Sequence, residues 1–118
     1  MPGVRVEVAG VHQVDGIWPI VAEGLEVSCR RTGGDCTSEY LWSECRSGRA
    51  FLVVVIRDEA VIAACVMRFE AWTSGKKLRC LALYGTGMKD WLSDLLRTVS
   101  GMARVGGATA LVSEGRKG

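Results

Sequence analysis

The sequence has few of the residues from which metal centres are built. It has a single histidine, His12, and its five cysteines (Cys29, Cys36, Cys45, Cys65 and Cys80) include no Cys-x-x-Cys pair. Zinc needs four close ligands, usually in paired spacings, so no metal is expected. An odd cysteine count without that pairing reads most simply as reduced thiols in a cytosol. Cys65 and Cys80 sit inside apolar runs and read as small core residues. Cys29, Cys36 and Cys45 could meet only through the fold. Proline is scarce, at 2 residues, and the 15 glycines are spread out, which excludes a collagen or a flexible linker. Long apolar runs are missing: Phe51–Ile56 falls far short of the roughly 20 residues of a membrane span. Met1–Gly10 has no basic start followed by an apolar stretch, so no signal peptide is read. A charge excess of one sign is missing too. The net charge is +2, from 15 basic and 13 acidic side chains. Apart from Arg30-Arg31, Lys76-Lys77 and Arg116-Lys117 the charges are scattered, whereas nucleic-acid binders cluster them; nucleic acid and membrane are not expected partners.

What is present is the composition of one globular domain, 118 residues with 48% hydrophobic and 24% charged residues. Val4–Val8 alternates apolar and polar and reads as a half-buried strand. Gly10–Gly16 reads as loop. Ile17, Trp18, Ile20, Val21 and Leu25 recur at helical spacing, predicting a helix over Ile17–Cys29 with Pro19 in its first turn and Gly24 a mild weak point. Arg31–Cys36 reads as a turn. Thr37 is a candidate N-cap for a short helix over Ser38–Arg46, with Tyr40, Leu41 and Cys45 on its apolar face.

Phe51–Ile56 is β-branched and apolar throughout, which predicts a central strand covered on both faces. Val61–Met67, extending toward Trp72, and Leu78–Tyr84 follow as an antiparallel meander. Met88, Trp91, Leu92, Leu95, Leu96, Val99, Met102 and Ala103 form the strongest amphipathic pattern, a helix over Lys89–Val105 ended by Gly106-Gly107. Ala108–Val112 reads as a last strand, parallel to the one before the helix. The expected fold class is therefore α/β (α+β in a stricter scheme): a mixed, mainly antiparallel sheet flanked by helices. Of the four tryptophans, Trp42 and Trp72 are the expected exposed pair. His12 reads as plain surface.

The segment best suited to chemistry is Tyr84-Gly85-Thr86-Gly87-Met88-Lys89. Helix-start N–H groups lack internal partners and carry partial positive charge, and glycines let an anion approach the backbone. A phosphate would be stabilised there, with Lys89 adding charge. An ordinary strand-to-helix turn, complemented by Asp90, would read the same way.

The order of elements and the Gly85-x-Gly87 pair resemble the GNAT superfamily of acyl-CoA-dependent N-acetyltransferases. There a meander leads into a pyrophosphate loop, Arg/Gln-x-x-Gly-x-Gly/Ala, that opens a long helix. Gly85 and Gly87 match it; Ala82 stands at the Arg/Gln position and departs from it. Within the superfamily the chain looks most like GNAT-like proteins of phage and prophage genomes, on Trp18, Gly48, Met88, Trp91, Ala103, Gly106 and the closing Gly115-Arg116-Lys117-Gly118. The resemblance implies acetyl-CoA as cofactor, held by Leu83, Gly85, Thr86, Gly87, Met88 and Lys89. It implies direct acyl transfer to an unknown amine, with Glu70 and Glu114 as candidate bases and Tyr84 as candidate acid. Family members continue past the last strand seen here, so the resemblance implies a fold truncated after that strand. Its exposed edge would then pair with a second copy or a partner protein. The alternative function is a non-catalytic GNAT-like phage structural or accessory protein, acting through protein contacts with virion proteins. The expected location is the cytoplasm, or the virion if the gene belongs to a phage.

Overall fold

The computed structural model describes residues 3–31 and 37–113. The predicted turn over Arg31–Cys36, except for Arg31 itself, lies outside them, as do Glu114 and Gly115–Gly118. Five strands, β1 (Val4–Val8), β2 (Phe51–Arg57), β3 (Ala60–Trp72), β4 (Gly75–Gly85) and β5 (Ala110–Ser113), form one sheet in chain order. The first four are antiparallel neighbours; β5 pairs parallel with β4. Helices α1 (Val14–Arg31) and α2 (Ser38–Arg46) cover one face and α3 (Met88–Val105) the other. This is the expected mixed α/β architecture.

Period-two alternation decides which side chain meets which layer. On β2, Leu52 and Val54 pack with Val21, Leu25 and Leu41 under α1 and α2. Val53 and Val55 pack with Trp91, Leu95 and Val99 under α3. The strand is buried on both sides, as its unbroken apolar run predicts. The β2–β3 hairpin turns through Asp58 and Glu59, both at positive φ (52° and 63°), the geometry that matches strand twist in a tight hairpin.

Helix α2 has the predicted bounds, and the Thr37 hydroxyl accepts from the Tyr40 N–H at 3.1 Å. Helix α1 differs from its prediction. The chain enters it through a single 3-10 turn (Val11–Gln13), closed by the Gln13 side chain accepting from the Gly10 N–H at 2.7 Å, and the α-helix begins at Val14. Pro19 therefore lies inside the helix, where the Asp15 carbonyl loses its usual amide donor. Burial of Val14 and the placement of Asp15 in the first turn favour the earlier start. The Asp15 carboxylate also accepts from Trp42 Nε1 (2.7 Å) and Arg46 (3.2 Å), tying α1 to α2. Tyr40, read as core, is instead exposed, and its hydroxyl accepts from Arg68 at 2.6 Å. Met88 and Leu96, read as part of the buried stripe of α3, are exposed as well. Cys29 is disulfide-bonded, which departs from the all-thiol expectation, whereas Cys45, Cys65 and Cys80 are free. Among the described residues no helix is long and apolar enough to cross a membrane.

Trp91 is the anchor of α3. It is 0% exposed, and its Nε1 donates to the Thr86 carbonyl at 2.7 Å. Trp91→Ala should lower stability by about 3–5 kcal/mol, from lost burial plus the cavity left behind. Denaturant unfolding at pH 7 checks this; a loss below about 1 kcal/mol would show that the face repacks without it.

Candidate functional site

The site begins with an irregularity in β4. Val66 of β3 opposes Ala82 and the next residue, Met67, opposes Cys80, so Leu81 is an extra residue, a β-bulge. Alternation breaks there. Leu81 and Ala82 both turn toward the α1 side, while Cys80 and Leu83 face α3. Pairing with β5 runs from Lys77–Ala110 to Cys80–Ser113. Over Leu81–Gly85 the described residues supply no strand on that side. Helix α1 stands there instead, running antiparallel to β4.

The result is a cleft of about 870 Å³. One wall is α1, through Ile20, Gly24, Val27, Ser28 and Arg31. The floor is β4 from Cys80 to Gly85, and the mouth is Thr86, Met88 and Leu92. Ile20, Val27 and Met88 are exposed apolar side chains. Glu23 and Arg31 are the charged residues on the lining.

Two small residues of α1 shape this wall. A Cβ on Gly24 would lie 2.5 Å from the Tyr84 ring, so Gly24 is the seat on which Tyr84 packs. One turn further on, Ser28 Oγ donates to the Leu83 carbonyl at 2.6 Å and accepts from the Leu83 N–H at 3.0 Å. Sequence reasoning missed both. The available signal was two small residues four apart, on the same helix face as Ile20 and Val27.

The turn into α3 is built for close approach. Gly87 is the N-cap in a left-handed conformation (φ 67°, ψ 38°), and Asp90 N–H donates to its carbonyl at 2.9 Å. A Cβ on Gly85 would overlap Ala63 and crowd Trp91, so glycine is required there by space. The N–H groups of Met88 and Lys89 begin the helix and have no intrahelical acceptor. Asp90, the first-turn acid, accepts from Arg57 at 3.1 Å.

Of the predicted site residues, Leu83, Tyr84, Gly85, Thr86 and Met88 line the cleft. Gly87 and Lys89 belong to the adjoining helix start. Burial pushes the Tyr84 phenol above its ordinary value, so it stays protonated at neutral pH. Ala82, at the Arg/Gln position of the GNAT motif, is buried on the floor and brings no charge. Glu114 lies outside the described residues.

Glu70 is not in the cleft. It opposes Lys77 near the other end of β3, whereas Tyr84 opposes Ala64. Its carboxylate meets Arg68 at 2.8 Å and Arg79 at 3.5 Å and accepts from Trp72 Nε1 at 3.0 Å. Arg68 also reaches Glu44 at 3.2 Å, and Glu44 meets Arg49 at 2.8 Å. Burial alone would raise both carboxyls. Hydrogen bonds from Arg68 and Trp72, with the nearby Arg79 charge, outweigh it for Glu70; hydrogen bonds from Arg49 and Arg68 do so for Glu44. Both carboxyls are held below the usual value of 4.5. Trp42 and Trp72 are the exposed tryptophans, as expected. Among the described residues no group of three or more His, Cys, Asp or Glu is placed to hold a metal ion.

No family model and no curated protein matches the chain. Solved structures do match. An aminoglycoside acetyltransferase from an uncultured soil metagenomic sample superposes with a TM-score of 0.72 at 9% identity, over 98% of this chain and 82% of that one. A ribosomal-protein-alanine N-acetyltransferase from Brucella melitensis gives 0.70 at 12%, over 98% and 82%. A predicted acetyltransferase from Clostridium acetobutylicum, solved with acetyl-CoA, gives 0.69 at 10%, over 97% and 82%. The chain therefore shares the fold of these acetyltransferases.

The acidic pair gives a pH prediction. Because the folded values lie below the unfolded ones, the unfolded chain takes up protons first as pH falls. The stability from Glu44 and Glu70 is present above about pH 4.5 and is lost as pH drops through their lower folded values. Denaturant unfolding at pH 7 and pH 3 should show a smaller acid loss for the Glu44→Gln/Glu70→Gln double variant than for the wild type. Equal losses would assign the acid sensitivity elsewhere.

Proposed function

We propose that this protein is an acyl-CoA-dependent N-acyltransferase, with acetyl-CoA as the natural donor and an amine as acceptor. One observation carries the reading: the stretch of β4 beyond its pairing with β5 and the glycine-built start of α3 join into one continuous cleft on a GNAT fold. The cleft volume lies within the roughly 300–1,000 Å³ usual for cofactor sites.

The residues suit the cofactor part by part. The helix start at Gly87, Met88 and Lys89 offers backbone N–H groups and the positive end of a dipole to a pyrophosphate. Gly87 keeps that approach free of a side chain, while Gly85 lets the backbone pass close to Ala63 and Trp91 into the turn. The apolar walls at Ile20, Val27 and Leu81 fit a pantetheine chain. Ala82 leaves the anion to be met by backbone, with Lys89 as the adjacent cation.

When bound, the thioester supplies the activated acyl group. The chain contributes binding, orientation and exclusion of water along the α1 wall. Tyr84 keeps its proton at neutral pH and is the phenol on the cleft wall, the chain's own donor for a departing thiolate. Glu70, tied to two arginines away from the cleft, does not enter this scheme.

A second reading is favoured by the β5 side of the sheet. β5 is an edge strand, and Leu111 on it and Leu96 on α3 are 40% and 47% exposed beside an apolar groove of about 150 Å³. On this reading the protein is a non-catalytic GNAT-like component, in a phage particle or its host's cytoplasm, that works by docking a second copy or a partner protein at that edge.

Calorimetry separates the two. The wild type should bind acetyl-CoA with micromolar affinity, and Gly87→Trp should weaken binding at least about tenfold, because it fills the approach and strains a left-handed position. No binding at millimolar acetyl-CoA would overturn the enzyme reading. With an acceptor amine in hand, Tyr84→Phe should leave affinity near the wild-type value and lower turnover; unchanged turnover would assign the proton to water.

A further inference from the structure

The one edge of β4 facing the cleft is not empty. At Leu83 its main-chain donor and acceptor are both taken up by one side chain, Ser28 Oγ, at 3.0 Å and 2.6 Å. This hydroxyl does what an amide on a neighbouring strand would do: it donates to the carbonyl and accepts from the N–H. It does so at a point past the β4–β5 pairing, which among the described residues reaches Cys80. It also projects from the α1 wall of the cleft.

An extended chain carrying secondary amides, laid along β4 in this cleft, would seek the same two Leu83 groups. The pantetheine arm of coenzyme A is such a chain. Both cannot hold the Leu83 N–H at once, since that single donor is already bonded to Ser28 Oγ at 3.0 Å, whereas the carbonyl has a second lone pair to offer. We propose that Ser28 is a latch on the cleft: its hydroxyl satisfies the Leu83 backbone in the free protein, and the amide-bearing arm of the donor must displace it to bind. The inference rests on the acyl-CoA reading for the identity of the ligand. The competition itself rests on the Ser28–Leu83 geometry.

The latch has a direction. Removing the hydroxyl removes the competitor, so Ser28→Ala should bind acetyl-CoA more tightly, by about three- to tenfold, the effect of no longer breaking one modest hydrogen bond. A residue that only supported the wall would weaken binding when truncated. Serine to alanine within a helix favours the helix slightly, so the variant should fold.

The experiment is an acetyl-CoA titration by calorimetry on wild type and Ser28→Ala, with amide hydrogen exchange followed at Leu83 and at its cross-strand partner Cys65. The expected result has three parts. Affinity rises in the variant. In the free variant, exchange speeds up at Leu83 and not at Cys65. Saturating acetyl-CoA slows Leu83 exchange in both proteins. If the wild type binds and the variant binds equally or more weakly, the latch is overturned while the acyl-CoA reading stands. Unchanged Leu83 exchange in the free variant overturns it too. If neither protein binds acetyl-CoA, both readings fall.

Discussion

Strand β4 has to satisfy two different neighbours along one edge, and the rest of the molecule is arranged around how it does so. From Lys77 to Cys80 its outer edge pairs with β5. At Leu81 an inserted residue changes the facing of the strand, and from there to Gly85 the edge meets a helix. Backbone groups pointing at a helix need partners that a helix backbone cannot give. At Leu83 the partner is one serine hydroxyl. The approach of α1 is set by what β4 presents, and Gly24 opposite Tyr84 is the clearest mark of that fit. The cleft is the space left where strand and helix cannot close completely.

The same division explains where charge is found. The cleft lining has little of it, whereas the densest ionic cluster, Glu44, Arg49, Arg68, Glu70 and Arg79, lies at the other end of the sheet between α2 and the long β3–β4 hairpin. Arg68 reaches three partners from one side chain: Tyr40, Glu44 and Glu70. The cluster pins the short helix to the sheet. Binding surface and ionic brace are thereby kept on separate parts of the β3–β4 ribbon.

Much of this was readable in the sequence, and the unreadable part has a common cause. The alternation of Val4–Val8, the unbroken run Phe51–Ile56, the every-fourth-residue stripe of Trp91, Leu95, Val99 and Ala103, and the Thr37 cap are local patterns, and each marks its element. Gly85-x-Gly87 likewise marks the start of α3. The Ser28–Leu83 and Gly24–Tyr84 contacts depend on strand register and on how a helix docks, which no local window contains. The bulge at Leu81 is invisible for the same reason: a run of apolar residues looks alike with or without an extra one. Glu70 carried the opposite lesson. Its type suited a base, but its neighbours Arg68 and Arg79 come to it through pairing across strands, and they make it a structural anion.

Strand order equal to chain order has a consequence for how the molecule folds. The ribbon from β2 through β4 closes by two tight hairpins, so its contacts cost little loop entropy and can form early. The two outer strands are different. Val8 finds Val53 only after both helices of one layer have been bypassed, and Ala110 reaches Lys77 only once α3 has crossed over. The meander is thus the natural nucleus, and the edges close last. The cleft needs α1 brought back alongside β4, a contact between residues 55 apart in the chain, so its closure costs more loop entropy than either hairpin.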